Sequence, residues 1–126
     1  MSGDWSEVMT ANDFTAQASA SDRCIQVSLA GTADLTVTGQ LDQFLRGVHT
    51  EAQRCLAEEV TVDVRRLEFM NSSCLKSFAW WICAVQEQTG HGQYRIVFLS
   101  SPTVGWQRRS LKALASMAKE IISIQV

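Results

Sequence analysis

The sequence predicts an α/β domain with a largely parallel sheet, because short strand-like segments alternate along the chain with longer segments of helical periodicity. Its 126 residues suit one domain over residues 1–126, with about residues 1–10 expected to be loosely ordered. A hydrophobic content of 46% and a charged content of 19% are typical of a globular protein. We expect a mixed, mostly parallel sheet of four to five strands with three main helices.

Five segments have strand character. Alternation of Ile25, Val27 and Leu29 predicts a half-buried strand that begins near Cys24. A weaker alternation predicts an edge strand over residues 14–20. The other three segments are short and rich in β-branched or aromatic residues, at 60–64, 94–99 and 121–126, and Arg65 and Arg66 are expected to close the first of them.

Three segments have helical character. Apolar residues three and four apart predict a helix from about residue 37 to 57, with Thr38 as its N-cap. A second helix is expected after the polar turn Asn71-Ser72-Ser73, ending near residues 90–92. The pair Ser101-Pro102 predicts the start of a third, since serine caps helices and proline suits the first helical position.

The second helix carries two adjacent tryptophans. If Leu75, Phe78, Ala79, Ile82 and Val85 face the core, Trp81 falls on the flank of the helix. Trp80 then points away from the core, near Ser73, Lys76 and Ser77. An outward tryptophan is a candidate anchor for a partner protein. The alternative is that the N-terminal segment or a second copy of the chain covers it.

Composition excludes several classes of function. A net charge of −2 argues against nucleic-acid binding, and no apolar run approaches the roughly 18–20 residues that span a membrane. The four cysteines form no C-x-x-C pair and the polar start resembles no signal peptide, so we expect reduced, mostly buried thiols in a cytoplasmic protein. His49 and His91 lack ligand-spaced neighbours, so we expect no metal, cofactor or catalytic residue.

Residues 62–75, VDVRRLEFMNSSCL, resemble the signature segment of STAS domains, the fold of bacterial anti-sigma-factor antagonists. In that pattern a hydrophobic strand ends in Asp, and a loop leads to Phe, an apolar residue, Asp-Ser-(Ser/Thr)-Gly-Leu. Asp63 matches the strand Asp, and Phe69-Met70 matches the apolar pair. Ser72 matches the hydroxyl that the cognate kinases of the family phosphorylate, and Ser73 and Leu75 match the positions around the glycine.

Two other segments carry the same resemblance. Residues 29–34, LAGTAD, are similar to the family's strand-end pattern, and Ser101-Pro102-x-Val104 is similar to the opening of its third helix. The resemblance implies a STAS-like single domain that acts without catalysis as a bacterial signalling module in transcription regulation. It implies a protein partner, a serine kinase that is an anti-sigma factor or a related regulator, together with a phosphatase. A homodimer is also compatible with it.

Two departures bear on the site. Asn71 stands where the family has Asp, and Cys74 stands where it has Gly, although Asn also caps helices well. The segment is also similar to a bacterial group related to STAS domains that has Asn-Thr-Ser-Ser at this turn, is phosphorylated after the Asn, and has a diguanylate cyclase as partner. The predicted phosphorylation sites are Ser72 and Ser73. The predicted partner-binding residues are Asn71, Cys74, Lys76, Ser77 and Trp80.

Other interpretations remain open. In one alternative, Ser72 and Ser73 act as helix caps and nothing more, and the domain is a constitutive docking module with a degenerate phosphosite. A STAS domain can also sense a nucleotide or another small molecule. A hydrolase that uses Ser72 or Cys74 is disfavoured, because no general base stands at an assignable spacing.

Overall fold

The computed structural model describes residues 5–88 and 92–126. It contains six strands and three helices among these residues. The strands are β1 (Trp5–Ala11), β2 (Phe14–Ser21), β3 (Cys24–Ala33), β4 (Glu59–Met70), β5 (Arg95–Leu99) and β6 (Ile122–Gln125). The helices are α1 (Thr38–Arg54), α2 (Ser72–Gln86) and α3 (Gly105–Ala115), and a 3-10 turn (Leu35–Val37) precedes α1.

The six strands form one sheet whose spatial order is the chain order, β1 to β6. The first three strands pair antiparallel, and β3 to β6 pair parallel. Each parallel pair is joined through one helix, as the α/β prediction requires. The mixed, mostly parallel sheet with three helices is confirmed, and the sheet has one strand more than the upper expectation of five.

The additional strand is β1, in the segment expected to be loosely ordered. Its side chains alternate between half-buried and exposed, so it contributes little to the core and has a weak apolar signal. The backbone pairing of Trp5 with Ala20 through Ala11 with Phe14 holds it in place. The predicted edge strand β2 therefore lies inside the sheet, and β1 forms the edge.

One face of the sheet is buried and the other is open. Alternate residues of β2 and β3, such as Ala16 and Val27, are buried, whereas Gln17 and Gln26 between them are exposed. The three helices therefore cover the same face of the sheet. Because each helix follows one of the parallel strands β3, β4 and β5, all three helix N-termini stand at the edge where these strands end.

Strand β4 runs on to Met70 and does not stop at Arg65 and Arg66 as predicted. It stays paired with β3 through two register shifts, the second next to Gly31. Gly31 has a φ of 96°, and an added Cβ would lie 2.0 Å from the carbonyl oxygen of Asp13. Thr32 donates its N–H to that same carbonyl at 2.7 Å, so only glycine allows this close approach.

Helix α1 begins close to the predicted residue 37, but its predicted N-cap and the predicted start of α3 are wrong. Asp34 caps the 3-10 turn by accepting the N–H of Thr36 at 2.9 Å, whereas the N-cap of α1 is Val37, which makes no side-chain hydrogen bond, and Thr38 is already helical. Helix α3 begins at Gly105, three residues after Pro102, because residues 101–104 form a separate turn. Helix α2 ends at Gln86, before the predicted residues 90–92, and His91 lies outside the described residues.

Candidate functional site

The turn from β4 into α2 is capped by Asn71. Its side-chain oxygen accepts a hydrogen bond from the N–H of Cys74 at 3.0 Å. Its own N–H donates to the carbonyl of Ala33 at 3.0 Å, which holds the turn against the end of β3. The substitution of Asn for the Asp of the resembling pattern therefore leaves the cap in place.

Ser72 and Ser73 form the first two residues of α2. Ser72 is exposed and Ser73 is half-buried. Among the described residues, neither of their N–H groups has an acceptor, as is usual in the first turn of a helix. An exposed hydroxyl, two N–H groups without acceptors and the positive end of the helix dipole thus lie together at this turn.

Two exposed apolar side chains flank this turn. Leu35 is 68% exposed and Phe69 is 47% exposed. Phe69 lies opposite Thr32 on the neighbouring strand, and Leu35 directly follows Asp34, whose carbonyl oxygen is 3.6 Å from the Cys74 sulfur. We call Leu35, Phe69, Asn71, Ser72 and Ser73 the α2 edge.

Cys74 is fully buried and does not belong to that surface. Its sulfur lies 3.5 Å from the hydroxyl of Thr38 and 3.6 Å from the carbonyl oxygen of Ala33. Burial raises the pKa of this thiol, so it stays protonated at neutral pH. Its role is to fill the space under the β3–α1 connection.

The buried face of α2 is wider than the sequence indicated. Ser77 is 5% exposed and Trp81 is fully buried, because α2 packs against α1 as well as against the sheet. The expected outward direction of Ser77 and the flank position of Trp81 are therefore wrong. Lys76 is exposed as expected.

Trp80 is half-buried against α1 and is not a free outward anchor. The guanidinium carbon of Arg46 lies 3.9 Å from the centre of a Trp80 ring, within range of a cation–π interaction. The ring of His49 meets it edge-on with centroids 6.3 Å apart. The cover comes from α1, a possibility that helix periodicity does not reveal.

A buried hydrogen-bond chain lies beneath Trp80. The indole N–H of Trp81 donates to the hydroxyl of Tyr94 at 2.7 Å, and that hydroxyl lies 2.7 Å from Nδ1 of His49. Burial lowers the pKa of His49, so its ring is neutral and Nδ1 can accept a hydrogen bond from the Tyr94 hydroxyl. The chain joins α1, α2 and the residue before β5.

Asp63, the strand Asp of the motif, is not brought to Ser72. It forms an ion pair with Arg65 at 2.8 Å and accepts the N–H of Arg65 at 3.0 Å. These hydrogen bonds from Arg65 lower the pKa of Asp63. Val62 and Val64 on either side point into the core, so Asp63 lies on the open face of the sheet.

The turn from β5 into α3 is held by a residue that the sequence analysis missed. The fully buried Gln107 accepts the N–H of Ser101 at 2.8 Å and donates to the carbonyls of Val64 and Leu67. Trp106 also donates to the Leu67 carbonyl, at 2.9 Å. A glutamine between Trp106 and two arginines gives no local signal of burial.

Among the described residues, no helix is long and apolar enough to cross a membrane. Within residues 5–88 and 92–126, no group of three or more His, Cys, Asp or Glu side chains is placed to hold a metal ion.

The fold is that of anti-sigma-factor antagonists, the STAS fold. The structure is similar to a solved structure described as the crystal structure of an anti-sigma factor antagonist from Mycobacterium paratuberculosis, with a TM-score of 0.65 and 17% sequence identity. The similarity covers 93% of this chain and 90% of that one. No protein-family model and no curated protein matches the sequence.

Proposed function

We propose that the chain is a non-enzymatic cytoplasmic signalling module that binds a protein partner at the α2 edge, and that phosphorylation of Ser72 ends this binding. The observation that carries the proposal is the exposed Ser72 hydroxyl at a capped helix start, flanked by the exposed Leu35 and Phe69. Surfaces that combine exposed apolar groups with unpaired hydrogen-bond donors are typical of protein interfaces.

The helix start suits a phosphate. The free N–H of Ser73 and the positive end of the α2 dipole stabilise negative charge there. Lys76, exposed and one turn further along α2, adds a cation at the spacing of favourable helix pairs. A phosphate on Ser72 would add a charge of about −1.5 to −2 without requiring movement of the backbone.

The same phosphate would disfavour a bound partner. A partner packed on Leu35 and Phe69 would have to desolvate the dianion, which disfavours the complex. A loss of about 2.7 kcal/mol corresponds to about a hundredfold weaker binding. The partner class we propose is a serine kinase that acts as an anti-sigma factor or a related regulator, reset by a phosphatase.

The first test is peptide mass spectrometry of the protein isolated from its own host. The tryptic peptide of residues 67–76 contains Ser72 and Ser73, and fragment ions separate the two. We expect phosphate on Ser72. Phosphate on Ser73 would shift the site by one residue, and an unmodified peptide in every growth condition would contradict the switch.

The second test compares variants in partner binding. Ser72→Ala should bind like the wild type, and Ser72→Asp should bind about a hundredfold more weakly. The matched control is Ser21→Asp, which adds the same charge at an exposed serine at the opposite edge of the sheet and should bind normally. Equal binding by all three variants would leave a constitutive docking module.

A further inference from the structure

A cleft of about 440 Å³ lies between α3 and the carboxyl ends of β5 and β6. This volume is within the range of roughly 300–1,000 Å³ usual for small-molecule sites. Ligands of open α/β sheets bind at this edge of the sheet. Six of its lining residues matter here: Ser101, Arg108, Leu111, Lys112, Ile124 and Val126.

The cleft has an apolar side and a cationic side. Leu111 is buried and Ile124 half-buried, and Val126, 86% exposed, extends the apolar surface. Arg108 and Lys112 are exposed and stand four residues apart on α3, so they lie on one side of the helix. A molecule in the cleft would contact hydrocarbon and positive charge at once.

The two cations have no ion-pair partner among the described residues. The ion pairs within residues 5–88 and 92–126 involve five other arginines, Arg23, Arg46, Arg54, Arg65 and Arg95. From Gly105 onward the sequence has four cations and one acid, Glu120, while the whole chain has a net charge of −2. This part of the sequence is therefore net positive, and two of its cations, Arg108 and Lys112, line the cleft.

The neutral polar groups of the cleft are already engaged. The Ser100 hydroxyl donates to the carbonyl of Gln125 at 3.2 Å, and the Ser101 hydroxyl pairs with that of Thr103 at 2.9 Å. The amide of Gln107 is used by three backbone groups. Arg108 and Lys112 are thus the groups that remain to bind a polar ligand.

We propose that this cleft binds a small amphipathic anion. Its apolar body lies against Leu111 and Ile124, and its phosphate, sulfonate or carboxylate head lies between Arg108 and Lys112. The cleft follows β5 and β6, whereas Ser72 follows β4. The proposal is therefore independent of the partner switch, and either one can fail without the other.

The test is a titration of the full chain followed by two-dimensional amide NMR. The probe is octyl phosphate below its micellar concentration, with inorganic phosphate and octanol as its two halves. We expect saturable shifts confined to residues 100–101, α3 and β6. We also expect octyl phosphate to bind at least about tenfold more tightly than either half.

Charge variants identify the head-group site. Arg108→Gln combined with Lys112→Gln should weaken octyl phosphate binding by about tenfold or more. The matched control is Arg109→Gln, which removes a neighbouring exposed cation that does not line the cleft and should change binding by less than about twofold. All three replaced side chains are exposed, so equal unfolding midpoints will show that the fold is kept.

Three results would overturn the proposal. Equal weakening by Arg109→Gln would mean general charge attraction, and shifts that do not saturate would mean surface adsorption. Binding to phosphatidylglycerol vesicles without binding of monomeric octyl phosphate would assign the cations of α3 to a membrane surface.

Discussion

The turns after β4 and β5 leave parallel strands at the same edge of the sheet, yet they start their helices differently. After β4 the cap is immediate: Asn71 binds the N–H of Cys74, and α2 begins at Ser72. After β5 the helix begins six residues beyond the strand, at Gly105, and its N-cap Val104 makes no side-chain hydrogen bond. Gln107, buried within the first turn, holds that connection.

The difference teaches how a helix start becomes available for function. A cap made by the residue just before the helix leaves the first-turn hydroxyls exposed, as at Ser72. A helix whose start is held by a buried side chain of its own first turn, as Gln107 holds α3, has a longer connecting turn before it. Here that connecting turn forms one wall of a cleft. The first arrangement suits modification and docking, and the second suits ligand binding.

The largest expected effect is at the internal anchor. Gln107→Leu removes the side-chain donor to the Val64 carbonyl, the acceptor for the Ser101 N–H and one of the two donors to the Leu67 carbonyl, so we expect the free energy of unfolding to fall by about 3 kcal/mol. Urea denaturation measures it, with Gln43→Leu, an exposed glutamine of α1, as the control. A loss under about 1 kcal/mol would mean that water replaces the side chain and that the anchor is dispensable.

A smaller effect is expected at the direct cap. Asn71→Ala removes the acceptor for the Cys74 N–H and should lower the free energy of unfolding by about 1 kcal/mol. Asn71→Asp restores the pattern of the resembling family and keeps an acceptor beside the helix dipole, so it should match or slightly exceed the wild type. Equal losses of unfolding free energy in Asn71→Ala and Asn71→Asp would show that stability depends on the amide group of Asn71 and not on a capping acceptor.

The smallest effect is expected at Ser101. Its hydroxyl contacts Thr103 in the turn and does not cap α3, so Ser101→Ala should change the unfolding free energy by less than about 0.5 kcal/mol. Thermal or urea denaturation of Ser101→Ala and Asn71→Ala under the same conditions measures both changes. A loss as large as that of Asn71→Ala would erase the contrast between the two turns.

Short-range sequence patterns predict most of the strands and helices, and they predict the helix cap at Asn71 in the middle of the α2 edge. Strand alternation around Val27 and the capping pattern at Asn71 are short-range signals, and both describe elements that form as expected. Strand β1 was missed because its inward residues Trp5, Glu7 and Met9 are only half-buried. Its pairing with β2 is a tertiary fact with little local trace.

The remaining parts of the site depend on contacts between distant residues. Ser77 and Trp81 are buried because α1 lies beside α2, and helix periodicity treats each helix alone. In the sequence Leu35 is an ordinary apolar residue, and only the structure shows that its side chain is exposed. Gln107 reads as a surface residue until the irregular end of β4 presents carbonyls that need donors.

The double use of the Leu67 carbonyl has a consequence for the order in which the domain opens. Trp106 and Gln107 both donate to it, so both acceptor positions of one oxygen bind the first turn of α3 to β4. We therefore expect α3 to be held most firmly at its start and to open first from its Ser116 end. The amide protons that bond back to the first-turn carbonyls of α3 should then exchange more slowly than those of its last turn.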